Sequence, residues 1–559
     1  MTCVLLTNWI SLTQPQVLRL AVDDLYRGVT ADKLGRYALL LFVIALAGGA
    51  FKYLMRHLVI GISRHVEFDL RNDLFGHLLR LPAQYFQHHR TGEIMSRATN
   101  DLAAVRMMLG PGVMYLVNTL AVGSAAVFLM LAISPRLTLY ALLPLPIISL
   151  SVWFFGDRIH AGFEVVQAQF AALSARVQEN LSGVRVVRSF AREDRELDEF
   201  GELNRQYLDT NFGLIRHWGF FHPWLAFLSG LAALLALYVG GREVIRGRIT
   251  LGEFVAFTVY LAMLNWPMYA LGWVVNLWQR GIASFRRLDD ILRVEPAIQS
   301  APGALAAERC RGALEFRHLT FTYPGADRPA LRDVTLEIPA GSTVAIVGRT
   351  GAGKSTLLSL LPRLFDPPPG TVFLDGVDIR RYDVGWLRSR LAIVPQETFL
   401  FSATVEENIA FGVERVDPEA VVRAARVARL DDDVRDFPKQ YDTLIGERGI
   451  TLSGGQRQRA AIARALMRDA PVVLLDDCLA SVDAQTEEGI LAGLRAETRD
   501  RTALLVSHRV SAVRHADVIV VLEDGAIVER GAHESLLALG GRYAELHRRQ
   551  QLEEELEAS

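Results

Sequence analysis

The chain has 559 residues, too many for one hydrophobic core, so at least two domains are expected. A net charge of −2 leaves no basic surplus that would point to a nucleic-acid partner. Three widely separated cysteines, Cys3, Cys310 and Cys478, argue against a disulfide framework or a zinc site and suit a reducing compartment. Hydrophobic residues make up 51% of the chain, which is high for a soluble protein.

Most of that apolar content lies before residue 280. The stretch VLLTNWISLTQPQVLRLAV, within residues 2–22, reads as a first spanning helix that begins almost at the initiator, so the native start is expected further upstream. Five longer runs follow, beginning at Tyr37, Gly112, Leu137, Trp218 and Phe254, each close to the ~20 residues a helix needs to cross hydrocarbon. Their continuous Leu, Ala and Gly content suits helices and not barrel strands, which would alternate.

Two long polar stretches, about 61–111 and about 158–211, separate these runs and are rich in arginine. They hold many acids too, but the other connections are short and carry fewer basic residues, a bias that places these stretches on the cytoplasmic side as extensions of the spans. Each holds a turn-like break, HHRTGE at 88–93 and ENLSGVR at 179–185, with Glu93 and Gly183 near the turning points. Pro223 and Pro267 are expected to kink their helices. The expected boundaries are a transmembrane domain at 1–290, a linker at 291–312 and a second domain at 313–547. An acidic tail, 548–559, is assigned no role. In the second domain β-branched runs such as STVAIVG, PVVLLDD and TALLVSH alternate with helical stretches, the pattern of a mostly parallel sheet.

The sharpest motif is GRTGAGKST at 348–356, lying after the strand VAIV and before the helical run STLLSLLPRLF. It matches GxxxxGK[ST] in the strand–loop–helix setting that a phosphate-binding P-loop needs. Gly348, Gly351 and Gly353 let the backbone curl around phosphate, with Arg349, Thr350, Ala352 and Thr356 completing the loop. Lys354 supplies a point charge for the β- and γ-phosphates, and Ser355 a hydroxyl for Mg²⁺. Downstream, VVLLDDCLASVD at 472–483 sets two carboxylates side by side at a strand end. An apolar run ending in Asp476 is the form of a Walker B strand, and a metal there would balance the adjacent charges. Cys478 reads as a buried structural thiol.

One further motif, LSGGQ at 452–456, precedes an arginine-studded helix and resembles the signature of ABC transporters. Other positions match the family in order. Tyr323 resembles the aromatic residue that stacks on adenine, Gln396 the Q-loop glutamine that also reaches the metal, Asp483 the D-loop aspartate and His508 the switch histidine. GERG at 446–449 resembles a segment near the coupling helices. The resemblance spans nearly the whole chain and implies an exporter-type half-transporter: six membrane helices with long cytoplasmic extensions, then an α/β P-loop nucleotide-binding domain. It implies ATP and Mg²⁺ as cofactors, the bacterial inner membrane as location, and dimerisation. In the family Ser453, Gly454, Gly455 and Gln456 face the ATP bound to the partner subunit.

The chain departs from the family at one place. Most members carry glutamate after the Walker B aspartate, to polarise the attacking water; here it is Asp477. One methylene fewer sets the carboxylate back by about an ångström, a displacement that can cost ~10²-fold in rate. The expectation is ATP binding with slow or absent hydrolysis at this chain's own P-loop, and a heterodimer with an unlike, competent half. A homodimer in which aspartate suffices is the alternative, as is a purely regulatory ATP-binding subunit.

Cargo is read from the last two spans. Trp218, Phe220, Phe221, Trp224, Trp266, Met268, Tyr269 and Trp273 suit hydrophobic or amphipathic substrates, drugs or lipids, if they face a pathway and do not merely fill helix packing. A lipid flippase or peptide exporter remains open, and the pattern does not give the direction of transport.

Overall fold

The apolar runs of the first half fold as helices. In the computed structural model, which describes residues 2–28, 30–446 and 452–558, they are α1 (Thr2–Arg27), α2 (Ala31–Leu78), α3 (Ala83–His88), α4 (Thr91–Ser96), α5 (Leu102–Met107), α6 (Val113–Ile133), α7 (Pro135–Leu142), α8 (Leu145–Ser182), α9 (Val184–Ser189), α10 (Glu193–Ile245), α11 (Leu251–Met263) and α12 (Asn265–Leu292). The stretches Ala31–Leu78, Thr91–Ile133, Pro135–Ser182 and Glu193–Ile245 are long and apolar enough to cross a membrane. The α1 helix forms as expected but is not among those four, and α11 is a shorter apolar helix.

The expected breaks occur. The chain turns at His89 and Arg90, just ahead of Glu93 in the first turn of α4, and Gly183 caps α8. The α10 helix continues through Pro223, and a break between α11 and α12 falls at Leu264, three residues before Pro267. Pro267 then sits in the first turn of α12, where its missing N–H has no helical partner to lose. Two π-helical turns, Arg97–Asp101 and Met108–Gly112, flank α5, and the second accommodates Pro111 without ending the helix.

Small residues let these helices close-pack. Ala126 and Met130 of α6, Leu137 and Ala141 of α7, Ala236 of α10 and Phe257 and Tyr260 of α11 form one buried cluster. The Tyr260 hydroxyl donates to the Leu12 carbonyl (3.0 Å), tying α11 to α1. Asp23 of α1 caps the start of α11, accepting from Thr250 Oγ1 (2.7 Å) and Gly252 N (2.8 Å). Several acidic residues of the first polar stretch are paired: Glu67 meets Arg64, Arg71 and Arg106, and Asp101 accepts from Ser284 and Arg287 of α12.

Two compact units result, Met1–Leu78 with Gly92–Arg293, and Leu79–Thr91 with Val294–Ser559. The second unit contains a four-stranded sheet of order β2-β1-β4-β5, built from β1 (Leu314–Phe321), β2 (Leu331–Ile338), β4 (Val372–Leu374) and β5 (Val377–Asp378). A six-stranded sheet comprises β3 (Thr343–Val347), β6 (Leu391–Val394), β9 (Val472–Asp476), β10 (Thr502–Val506), β11 (Val518–Glu523) and β12 (Ala526–Gly531), in the order β12-β11-β3-β10-β9-β6. The short pair β7 (Ala403–Thr404) and β8 (Leu444–Ile445) stands apart. All six-sheet pairings are parallel except β11–β12. Parallel strands covered on both faces should be apolar along their length, and β9 and β10 are except at Asp476, which ends β9, and Thr502, which begins β10. Ala345, Val347, Val473 and Leu475 enter one core; Val344, Ile346, Val472 and Leu474 enter the other.

Candidate functional site

The end of β3 runs into the P-loop, and the loop opens the helix Lys354–Leu360. This helix is shorter than the run STLLSLLPRLF implies: Leu361 still has helical backbone, but Pro362 has no N–H with which to continue the ladder. Gly353 has φ +98°, and a Cβ there would lie 2.6 Å from the Ala330 carbonyl, so only glycine fits. Lys354 is buried, and its Nζ donates to the carbonyls of Gly348 and Arg349, both at 2.8 Å. Burial lowers the pKa of this ammonium, while the nearby charges of Asp477 and Asp476 oppose the shift.

The sheet order brings the acidic pair to the same place. Ser355 Oγ donates to Asp476 Oδ1 at 3.0 Å, joining the two oxygens assigned to Mg²⁺. The Asp476 carboxyl is raised above its ordinary pKa by burial, with Asp477's charge adding to the shift. Two crowded carboxylates beside a hydroxyl are a hard-oxygen donor set, and a Mg²⁺ bound there would supply the positive charge that the pair lacks. Asp477 follows the strand with its N–H donating to Val506 O (2.9 Å) and φ +45°, a left-handed turn that aspartate tolerates better than most residues. Its Oδ2 lies 3.7 Å from Nε2 of His508. Gln396 stands exposed two residues past the end of β6.

Tyr323 packs edge-on to Phe321 and Phe365, and its hydroxyl donates to Thr356 Oγ1 at 2.9 Å. The residue expected to stack on adenine is thereby tied to the last residue of the P-loop motif. Arg349, Thr350 and Gly351 are exposed at the loop's tip, with Ala352 buried beneath.

The signature is built separately. Ser453 caps the helix Gly454–Leu466 in a reciprocal box: Ser453 Oγ accepts from Gln456 N (3.2 Å), and Gln456 Oε1 accepts from Ser453 N (3.0 Å). A Cβ on Gly455 would lie 3.0 Å from the Ser481 carbonyl, so this glycine lets the signature lie against the segment leading to Asp483. Asp483 caps the helix Ala484–Glu497 by accepting from Thr486 N (2.9 Å), a bond that holds its carboxyl below the usual range. Among the described residues, no hydrogen bond or ion pair links the signature to the P-loop. Residues 447–449 of the GERG segment lie outside the described residues, and Gly446 marks a turn at φ +97°.

Sequence reasoning missed the residues that hold these pieces in place. Asp433 accepts from Gln456 Nε2 (2.8 Å) and pairs with Arg459 (2.7 Å), and the Gln458 side chain accepts from Ser481 N (2.9 Å). Nothing in the run LDDDV marks its third aspartate as the one beneath the signature. Cys478 is 1% exposed with its thiol pushed up to about 12 by burial, so it is the structural thiol expected.

Comparison with known proteins agrees with this geometry. Residues 1–268 match the model of the ABC transporter transmembrane region, and residues 331–480 a second model described as ABC transporter. A Bacillus subtilis protein described as a probable multidrug resistance ABC transporter ATP-binding/permease protein, YheI, is 38% identical over 98% of this chain and 94% of its own length. The chain belongs to the ABC transporter family. The Escherichia coli multidrug resistance-like ATP-binding protein MdlA is 37% identical to this transporter over 98% of the chain and 93% of MdlA. An ATP-dependent lipid A-core flippase from Syntrophus aciditrophicus is 34% identical over 98% of the chain and 91% of the flippase. The solved structure of a bacterial Atm1-family ABC exporter with ATP bound superposes with a TM-score of 0.79 at 29% identity, covering 98% of this chain and 97% of that one. The transporter is thus a multi-pass inner-membrane exporter whose nucleotide-binding domain is cytoplasmic. As a member of this family it couples ATP hydrolysis to transport.

Proposed function

We propose that this chain is one half of a heterodimeric exporter of hydrophobic or amphipathic molecules, whose own P-loop retains ATP while the partner's site carries most of the turnover. The observation that carries the reading is Asp477. It occupies the position from which a glutamate would reach the attacking water, on a left-handed turn, with the shorter side chain. The remainder of the site is present: Lys354, Ser355 and Asp476 converge, Tyr323 is braced on Thr356, and His508 lies beside Asp477. Such a site suits holding Mg²⁺ and ATP, with the reach of its water-activating carboxylate shortened. The signature, with its capping box and the close approach of Gly455, remains able to complete a partner's site.

The completeness of Gln396, His508 and the P-loop favours a second reading, a homodimer in which aspartate acts more slowly. Turnover by the purified chain alone, before and after Asp477→Glu, separates the two. The heterodimer reading expects the unmodified chain to be at least ~10²-fold below its Asp477→Glu variant. Robust turnover by the unmodified homodimer would overturn it.

For cargo, the printed descriptions of the relatives name multidrug resistance and lipid A-core flipping. Trp218, Phe220, Trp266 and Trp273 are exposed, whereas Phe221 and Trp224 pack against Ile148, Leu225 and Leu228. Trp224 Nε1 also donates to Ser151 Oγ at 3.0 Å, so part of the aromatic set is structural. The side chains of Met268 and Tyr269 lie outside the described residues. The exposed aromatics support an amphipathic substrate, drug or lipid.

A further inference from the structure

His508 rides on the turn between β10 and the short helix Val510–Val513, and that turn is held from two sides. On one side Arg509 donates to the Val482 carbonyl (3.2 Å) and pairs with Glu487, which is buried and also accepts from Ser511 Oγ (3.1 Å). On the other side stands Gln550, in the C-terminal helix Arg542–Ala558. Its Nε2 donates to the His508 carbonyl and its Oε1 accepts from Val510 N at 2.8 Å. One carboxamide therefore closes both main-chain groups that flank Arg509. The carboxamide supplies the donor and the acceptor on two separate atoms of one planar group, which lets it meet both at once.

The helix that carries Gln550 is itself anchored. Tyr543 is fully buried, its hydroxyl 2.8 Å from His533 Nδ1, and its N–H donates to Glu529 Oε2 at 3.0 Å. Arg542 pairs with Glu523 at 3.3 Å. Gln550 lies seven residues beyond Tyr543, two helical turns along the same face. Anchoring Tyr543 thus aims Gln550 at the switch turn.

We propose that Gln550 is a positioning residue for the switch histidine and that the C-terminal helix is a clasp holding His508 beside Asp477. This goes beyond the assignment of Asp477 and holds whichever carboxylate activates the water. Among the described residues no hydrogen bond joins Gln550 to the P-loop or Tyr323, so losing it should leave ATP binding intact while His508 spends less time in register. The effect belongs in kcat and not in KM.

The test uses the full-length protein in its dimeric, lipid-reconstituted form. Gln550→Ala and Gln550→Glu are made in the Asp477→Glu background, with Gln551→Ala as the exposed neighbour. Gln550→Ala should raise deuterium exchange in peptides spanning Val510 by about fivefold or more. It should also lower kcat by about tenfold with KM for ATP within about twofold. Gln550→Glu keeps the acceptor for Val510 and loses the donor to His508, so it should fall between, while Gln551→Ala should match the parent. Unchanged exchange at Val510 in Gln550→Ala would overturn the clasp, as would a loss of activity carried by KM. If Asp477→Glu fails to turn over, the reading of Asp477 fails, and the exchange measurement in the unmodified chain still decides the clasp.

Discussion

Asp477 keeps the charge of its position and, in the reading proposed above, shortens its reach. Its backbone leaves β9 in a left-handed turn at φ +45°, a conformation open to aspartate and unfavourable for most longer side chains. The substitution to glutamate therefore restores reach against a small backbone cost, and a gain in turnover would be a net effect of both. Gly353 is the opposite case, a residue with no latitude. Gly353→Ala places a methyl 2.6 Å from the Ala330 carbonyl at φ +98°, so a loss of about 1–3 kcal/mol is expected. The check is a lowered melting midpoint together with weakened binding of a non-hydrolysable ATP analogue. The motif already showed that glycine belongs at 353; the carbonyl that makes it obligatory lies on the segment leading into β2 and is invisible in the motif.

At the scale of elements, the helical segment beneath the signature depends on one buried carboxylate. Asp431 is 4% exposed and accepts from Tyr441 (2.7 Å), Arg426 (3.0 Å) and Arg435 (2.7 Å). Burial works to raise its pKa, but these partners outweigh burial and hold it below the ordinary carboxylate value. A depressed folded pKa gives stability that is present above the unfolded value, near ~4, and is lost as pH falls through the folded one. Thermal melting between neutral pH and about pH 3 should therefore show an acid-labile component, which Asp431→Asn flattens. At neutral pH that substitution should destabilise by about 1.5–3 kcal/mol, the worth of hydrogen bonds to a charged group. The run LDDDV offered three aspartates to a reader of the sequence. Only packing distinguished Asp431, which anchors the segment, from Asp433, which holds Gln456 and Arg459.

At the scale of the whole molecule, the P-loop and the signature of one chain would serve different sites in the proposed dimer. Each is locally complete, and no hydrogen bond or ion pair joins them among the described residues. With an unlike partner, Ser453→Arg in this chain should reduce total ATPase by at least about tenfold, since it would block the partner's competent site. Lys354→Ala, which disables this chain's own P-loop, should cost less than about threefold. Equal losses from the two variants would place equal turnover at both sites and remove the asymmetry. ATPase of the co-purified pair, measured at saturating ATP, makes the comparison.

The amino-acid sequence alone determined the two-domain plan, the apolar helices and the chemistry of the P-loop, Walker B aspartate and signature. Each is a local pattern: the length of an apolar run, a glycine spacing, a strand passing into a helix. The positions of the breaks were legible at His89–Arg90 and Gly183, where turn residues mark them, and less so at Leu264, three residues before Pro267, and at Pro362, which has no N–H to continue the ladder. Only the tertiary structure decided which distant residues act together. The parallel register of β9 and β10 pairs Asp476 with Val506, which sets Asp477 and His508 side by side just beyond the strand ends. The C-terminal helix brings Gln550 to His508 across 42 residues of chain. Neither meeting has a spacing that a sequence could display, because each is fixed by strand order and helix packing and not by distance along the chain.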